Sequence, residues 1–169
     1  DFQQIDLSRE DIPDSIRALV INGPKREFSD AELFRLDQFV MRGGSLVLFL
    51  DAFRESPQQF PAMMQRSPSV IPNETGLEPL LAHYGVSVDP KIVMDMNCLQ
   101  YRGEMLYMVP QIGEKGLGRD SDITRHLKRV YFVKASPLVV DGVKTGAAGI
   151  EKKTLVSSSR DSWLVTSIT

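Results

Sequence analysis

The stretch of residues 18–51 constrains the fold of this chain more than any other segment. It reads ALVINGPKREFSDAELFRLDQFVMRGGSLVLFLD, and its opening apolar run stops at the turn signal Asn22-Gly23-Pro24. A second apolar run, residues 45–50, ends at Asp51 and does not alternate with polar residues. Such a run is typical of a strand covered on both faces, as in parallel sheets. We therefore predict two parallel strands joined by a right-handed crossover.

A helix is predicted between these two strands. Ser29 stands three residues before Glu32, the spacing of a capping box in which each residue satisfies a free N–H of the other. The apolar residues of one helical face follow at positions i, i+3 and i+7: Leu33, Leu36 and Val40. Gly43 and Gly44 are expected to end the helix, because a residue without Cβ adopts the left-handed cap conformation at little steric cost.

Length and composition favour one domain and disfavour two classes of partner. At 169 residues with 42% hydrophobic residues, the chain can bury a full core. Its net charge of -2, from 20 basic and 22 acidic residues, predicts neither nucleic acid nor an anionic membrane surface as a partner. No apolar run approaches the roughly 20 residues that span a bilayer. We predict a single α/β domain, residues 1–169, excised from a longer protein.

The rest of the chain carries shorter signals. Two long loops are expected: residues 52–73, rich in proline, and residues 111–121, rich in glycine and charge. Thr75 and Glu78 have the spacing of a second capping box, opening a short helix that stops at Gly85. An edge strand or hairpin arm is expected over residues 101–109. Further short strands or apolar segments are expected at residues 86–88, 92–94, 130–133, 137–140, 155–157 and 163–168.

The residues that most often carry catalysis give a weak signal here. Cys98 lies in MDMNCLQYR, which lacks the glycine-flanked elbow of an amidotransferase nucleophile, so we interpret it as a structural thiol. His83 and His126 are the two histidines of the chain, and a zinc site needs more converging ligands than these with one cysteine. We therefore predict no catalytic residue, no metal site and no cofactor.

The ends of the predicted strands are the better candidate for a site. Asn22, Gly23, Asp51 and Asp95 follow three apolar runs, and open α/β sheets place ligands at the carboxyl edge of their strands. These groups could bind a small ligand or a cation such as Mg²⁺, with the 52–73 loop as a lid. The alternative is that they only cap loops and helices. No glycine-rich phosphate cradle accompanies them, since the first loop reads GPKREFS.

Four segments together resemble one protein family. Residues 19–51 match its pattern at Gly23, Pro24, Ser29, Gly43, Gly44 and Asp51. The other three segments are GLEPLLAHYGVSVDPKIVMD, DITRHLKRVYFVKASPL and TLVSSSRDSWL, in the order of the family. On these residues the chain resembles the auxiliary domain of ABC-type transport systems of the gliding-motility kind, the GldG-like proteins. One departure is Asp122, where the family often has His-Pro.

The resemblance implies a fold, a location and partners. The fold would be a three-layer α/β sandwich with a mostly parallel sheet, flavodoxin-like or class I glutamine amidotransferase-like, without catalytic residues. The domain would lie outside the cytoplasm, in the periplasm, tethered by membrane segments absent from these residues, beside an ABC permease and its ATPase. We therefore expect a non-enzymatic domain that engages a partner or an unknown small ligand. An amidotransferase-like hydrolase and a purely structural scaffold for the permease are the alternatives.

Overall fold

The computed structural model of the chain describes residues 3–55, 70–147 and 149–166. The helices are α1 (Asp30–Met41), α2 (Glu78–His83) and α3 (Gly142–Ala147), with a 3₁₀ turn at Glu114–Gly116. The strands are β1 (Ala18–Asn22), β2 (Ser45–Phe49), β3 (Phe53–Glu55), β4 (Val70–Pro72), β5 (Val86–Val88), β6 (Ile92–Asp95), β7 (Cys98–Tyr101), β8 (Glu104–Gly113), β9 (Arg129–Tyr131), β10 (Leu138–Val140) and β11 (Ser162–Val165).

The predicted strand–helix–strand unit is confirmed. Strands β1 and β2 pair in parallel, in a register that runs from Ala18 opposite Ser45 to Asn22 opposite Phe49. The capping box is also present. The Ser29 N–H donates to Glu32 Oε2 at 2.9 Å, and the Glu32 N–H donates to Ser29 Oγ at 3.4 Å. The local sequence signals of residues 18–51 therefore place α1 across the connection between two parallel strands.

Two glycines end α1 in different ways. Gly43 has a φ of +89°, in the left-handed region, and its N–H donates to the Val40 carbonyl at 2.9 Å. Gly44 lies under the ring of Phe39, where an added Cβ would overlap the ring atoms. Phe39 is only 1% exposed, so the ring has no room to move aside. The predicted glycine stop is correct, and Gly44 is required by packing rather than by backbone conformation.

The main hydrophobic core lies between α1 and one face of the β1–β2 sheet. Its buried members come from α1, β1, the segment before α2 and the N-terminal segment: Leu7, Ile12, Ile21, Leu36, Phe39 and Leu77. Two arginines of α1 hold the N-terminal segment in place. Arg35 Nη1 donates to the Leu7 carbonyl at 2.7 Å, and Arg42 Nη2 donates to the Ile12 carbonyl at 2.5 Å. Residues before β1 thus complete the core instead of trailing from it.

The predicted three-layer sandwich with a mostly parallel sheet is wrong, and with it the flavodoxin-like and glutamine amidotransferase-like fold. The described residues form five small sheets, and β1–β2 is the one parallel pair among them. Strand β5 pairs antiparallel with β10, and β6 pairs antiparallel with β11. Apolar runs of three or four residues do not specify a partner or a direction. Only β1 and β2 carry a crossover helix of three turns that enforces parallel pairing.

The outer face of the β1–β2 sheet corrects a second expectation. Val20, Val47 and Phe49 are exposed, so within the described residues this sheet is covered on one face and not on both. The unbroken apolar run of residues 45–50 therefore did not mean that other elements cover both faces of the strand.

A three-stranded antiparallel sheet, β7–β8–β9, occupies the second half of the chain. Strands β7 and β8 meet at a two-residue turn, Arg102-Gly103, in which both residues have positive φ as a tight hairpin requires. Strand β8 is the central strand and not the predicted edge strand, although it is the predicted hairpin arm. It continues through Pro110 to Gly113, so residues 111–113 belong to a strand where a loop was expected.

Several short predictions differ from the structure in detail. Strands at 86–88, 92–95, 129–131 and 138–140 lie within a residue or two of their predicted positions. Residues 155–157 form only a single bridge, Val156 opposite Leu117. In the 52–73 segment, β3 and β4 pair antiparallel at the two ends. Its proline-rich interior, and with it the predicted lid, lies outside the described residues.

An ion pair between a buried glutamate and an exposed arginine closes the start of α1. The carboxylate of Glu32 is 2% exposed and accepts from both terminal nitrogens of Arg26, Nη1 at 3.0 Å and Nη2 at 2.5 Å. The pKa of Glu32 is lowered to about 2, mainly by the Arg26 guanidinium and also by the Ser29 N–H and hydroxyl, against the effect of burial. Glu32 therefore stays ionised in the folded chain at pH values where it would be protonated in the unfolded chain.

The Gly44→Ala variant should be less stable by about 1–3 kcal/mol, because the added methyl group overlaps the buried Phe39 ring. Urea unfolding at constant pH measures the free energy of unfolding. Gly113→Ala is the matched control, since a Cβ at Gly113 meets nothing within 4 Å and should leave stability nearly unchanged. Equal stability of the two variants would contradict the packing role of Gly44.

Glu32 should make the free energy of unfolding depend on acid. Its folded pKa of about 2 lies below the ordinary value of 4.5, so its contribution is fully present above pH 4.5 and is lost as the pH falls toward 2. The upper limit is roughly 3 kcal/mol, and solvent around Arg26, which is 62% exposed, reduces it. Urea unfolding between pH 2 and 6 should show a larger loss of stability in the native sequence than in Glu32→Gln, whereas the exposed Glu27→Gln variant should lose as much as the native sequence.

Candidate functional site

A cleft of about 1030 Å³ opens where β1 and β2 end. Asn22, Gly23 and Asp51, three of the four predicted site residues, line it. Its size is at the upper end of the range usual for ligand pockets. The carboxyl ends of the two parallel strands therefore do form one side of a concave surface, as the sequence predicts.

The floor of the cleft is set by a tight turn after β1. Gly23 has a φ of +53° and its N–H donates to the Phe49 carbonyl at 2.8 Å, which joins the ends of both strands. Lys25 Nζ lies 2.9 Å from Asp51 Oδ2, and the two side chains are 69% and 56% exposed. An ion pair so open to water contributes little to stability. Both groups are therefore available to a bound molecule at small cost to the fold.

Asn73 is a structural residue of this site that the sequence did not reveal. Its side-chain amide donates to the Asp51 carbonyl at 2.9 Å and to the Pro24 carbonyl at 3.4 Å. Its own N–H donates to the Ala52 carbonyl at 2.9 Å, and the residue is only 8% exposed. One buried amide thus connects the turn after β1, the end of β2 and the strand β4. An isolated asparagine after a proline gives no sequence signal of such a role.

The opposite wall of the cleft is the segment 132–136, which follows β9. Its backbone is hydrogen-bonded on both sides: the Lys134 N–H donates to the Met108 carbonyl at 2.9 Å, and the Ala135 carbonyl accepts from the Val93 N–H at 2.8 Å. Lys134 adopts a φ of +52°, a conformation that non-glycine residues seldom take. The wall is therefore held between β8 and β6, and it carries a lysine at a bend that is unusual for that residue.

The cleft combines apolar walls with basic groups. Its large apolar side chains come from β2 and the residue after it, β3, α2, β5, β6, the 132–136 segment and β10: Leu48, Phe49, Leu50, Phe53, Leu81, Val86, Val88, Ile92, Phe132, Val133 and Leu138. Among the described residues, Lys25, Arg54 and Lys134 also line it, against one acidic residue, Asp51. The hydroxyl of Ser136 is buried and has no hydrogen-bond partner in the described part of the chain. The arrangement suits a ligand that is apolar in part and negatively charged.

Asp95, the fourth predicted site residue, lies elsewhere. It ends β6, is 0% exposed and does not line the cleft. Its carboxylate accepts from the Ser159 N–H at 2.8 Å, from the Ser159 hydroxyl at 2.6 Å and from the Asn97 N–H at 2.8 Å. These bonds attach the segment before β11 to the end of β6. Asp95 therefore performs the capping role that was the alternative for all four residues.

The cysteine and the two histidines occupy separate elements. Cys98 is buried at the start of β7, where the register with β8 shifts by a bulge. His83 ends α2 with its ring against Tyr84, and His126 lies in a turn before β9, where its Nε2 accepts from Arg125 Nε. Among residues 3–55, 70–147 and 149–166, no group of three histidine, cysteine, aspartate or glutamate side chains is placed to hold a metal ion.

Fold and site together define an α+β domain with a ligand-sized cleft at the end of a parallel strand pair. The chain belongs to the family described as "ABC-type uncharacterized transport system", whose family model matches residues 1–169. This match confirms the ABC-transport family that the four sequence segments indicated, whereas the gliding-motility branch stays a prediction. The family name indicates an auxiliary domain of an ABC-type transport system.

A solved structure supports the fold at low sequence identity. The structure titled "mmIFT52 N-terminal domain" superposes with a TM-score of 0.54 at 17% identity, covering 83% of this chain. The chain spans 57% of the length of that structure. At this identity the likeness concerns the fold alone. The comparison with curated proteins gave no match.

Helix length bears on the membrane question. In the described part of the chain, no helix is long and apolar enough to cross a membrane.

The Asn73→Ala variant should lose about 1–3 kcal/mol of stability, because the Asp51 and Pro24 carbonyls lose their buried donor. Chemical denaturation measures the change. Asn22→Ala is the matched control: it also removes a side-chain amide near the ends of β1 and β2, but Asn22 is exposed, so we expect a change within about 0.5 kcal/mol. If both variants unfold at the same denaturant concentration as the native sequence, Asn73 does not hold the cleft together.

Proposed function

We propose that this domain is a non-enzymatic binding module of an ABC transport system, and that it engages a partner protein or ligand through the cleft at the ends of β1 and β2. The observation that carries the proposal is the convergence of Asn22, Gly23 and Asp51 in a cleft with apolar walls and basic groups. Membership of an ABC transport family supports the setting.

The proposal includes a location and partners. The domain lies on the extracytoplasmic side, the periplasm, and is tethered to the inner membrane by segments outside these residues. Its partners are the ABC permease and the ATPase that drives it. The resemblance of residues 19–51 to the gliding-motility branch of such systems supports this arrangement. Which substrate the system moves does not enter the proposal.

The cleft favours binding over a purely structural support of the permease. A scaffold needs no concave surface lined by three cations, and exposed apolar side chains such as Phe49 are costly unless a partner covers them. The fold does not depend on the ion pair between Asp51 and Lys25, since both side chains are more than half exposed to water. These properties are those of a surface kept for another molecule.

Site-specific photo-cross-linking in the intact protein, in cells of the source organism, tests the proposal. A photoreactive phenylalanine analogue replaces Phe49, which lines the cleft and is 59% exposed. We expect adducts with the permease, the partner that the same side of the membrane exposes, identified by mass spectrometry.

The matched control carries the same analogue at Phe34, which is 64% exposed on α1 and does not line the cleft. Permease adducts from position 49 alone would support the proposal. The same adducts from both positions, or permease adducts from position 34 only, would show that the cleft is not the binding surface.

A further inference from the structure

The hydrogen-bonding pattern of β2 shows which of its backbone groups remain free. The Ser45 N–H donates to the Arg17 carbonyl at 2.9 Å, and the Phe49 carbonyl accepts from the Gly23 N–H at 2.8 Å. Because backbone groups of successive residues point to opposite edges of a strand, residues 45, 47 and 49 face β1. The N–H and carbonyl groups of Leu46, Leu48 and Leu50 therefore point to the other edge.

That second edge of β2 is open where it meets the cleft. Strand β2 pairs with β1 and with no other strand of the described residues. Within the same residues, the backbone N–H and carbonyl groups of Leu48 and Leu50 have no hydrogen-bond partner. Leu48 and Leu50 both line the cleft. A strand edge with free donors and acceptors is a template for an added strand.

The surroundings of this edge select the side chains of an added strand. On the outer face, the exposed Val47 and Phe49 offer apolar cross-strand neighbours. At the end of the edge and across the cleft, Arg54 and Lys134 supply positive charge, and the acidic residue of the cleft, Asp51, is already paired with Lys25. The apolar side chains of an added strand would therefore meet Val47 and Phe49, and its carboxylates would meet the cations that line the cleft.

We propose that the occupant of the cleft is an extended segment of a partner protein, with alternating apolar and acidic residues, which adds as a strand to the open edge of β2. This inference rests on the proposed function and names the chemistry of its binding surface. Main-chain hydrogen bonds to Leu48 and Leu50 supply affinity, whereas Arg54 and Lys134 select for acidic side chains. The free hydroxyl of Ser136 offers one more hydrogen bond from the opposite wall.

Nuclear magnetic resonance of the ¹⁵N-labelled chain tests the inference with a defined probe. The probe is a short synthetic peptide of alternating valine and glutamate, blocked at both ends. On its addition, the amides of Leu48 and Leu50 should become protected from hydrogen exchange. The amides of Val47 and Phe49, which already face β1, should change little. Protection that alternates along β2 is a signature that a small ligand or a side-chain contact would not produce.

Two control peptides test the two parts of the proposed recognition, the backbone hydrogen bonds and the selection for acidic side chains. A peptide with N-methylated alternate residues cannot complete the backbone ladder, and a valine–lysine peptide has the wrong charge. We expect neither to bind at concentrations that saturate the first peptide. Equal binding of the N-methylated peptide overturns strand addition, and equal binding of the lysine peptide overturns the selection for acidic residues.

Two double variants test whether Arg54 and Lys134 contact the acidic side chains of the peptide. The double variant Arg54→Glu, Lys134→Glu should bind the glutamate peptide roughly tenfold or more weakly, since like charges then oppose each other. The control Lys128→Glu, Lys152→Glu makes the same change in net charge at exposed positions outside the cleft and should retain the affinity. Equal losses in both variants would overturn the proposed contact.

The two proposals fail in different ways. If the peptide does not bind but cross-links from position 49 to the permease persist, the partner uses the cleft without adding a strand, and only this inference fails. If the cross-links are absent but the peptide binds with alternating protection, the strand site stands and the permease is not its partner.

Discussion

The parallel pairing of β1 and β2 beneath α1 is the constraint on which the rest of the structure depends. It fixes the ends of both strands at one edge, and those ends form the floor of the cleft. The pairing requires α1 to stop at a defined residue, and Gly44 provides that stop because the buried Phe39 ring occupies the space of a side chain. The N-terminal segment, Asn73 and the segment before α2 are all organised around this unit.

Local signals in the sequence were sufficient for this unit and for little beyond it. A capping box, a helical stripe and a pair of glycines act over a few residues, so Ser29, Glu32 and Gly44 were identified from sequence and lie as expected. The strand-end residues Asn22, Gly23 and Asp51 could be placed at one edge because parallel pairing follows from the crossover. Correct local structure therefore led to most of the candidate site.

The remaining sheets could not be derived because their pairing is decided between distant residues. Nothing near Val86 indicates that β5 pairs with β10, more than 50 positions later, in the antiparallel sense. The assumption that β6 joined a parallel sheet also placed Asp95 beside Asn22 and Asp51. In the structure its carboxylate instead accepts hydrogen bonds from Ser159. The wall that carries Lys134 depends on bonds to β8 and β6, and the sequence contains no sign of them.

The pairing of β6 with β11 has a consequence for how the chain acquires its structure. Paired residues of these two strands lie 67 to 73 positions apart, whereas β1 and β2 close over a shorter connection. Contacts between distant residues form more slowly, since the entropy of a large loop is lost before any contact is gained. During synthesis the N-terminal unit can therefore assemble first. One edge of strand β6 stays unpaired until β11 leaves the ribosome, and for that interval this edge is prone to aggregate.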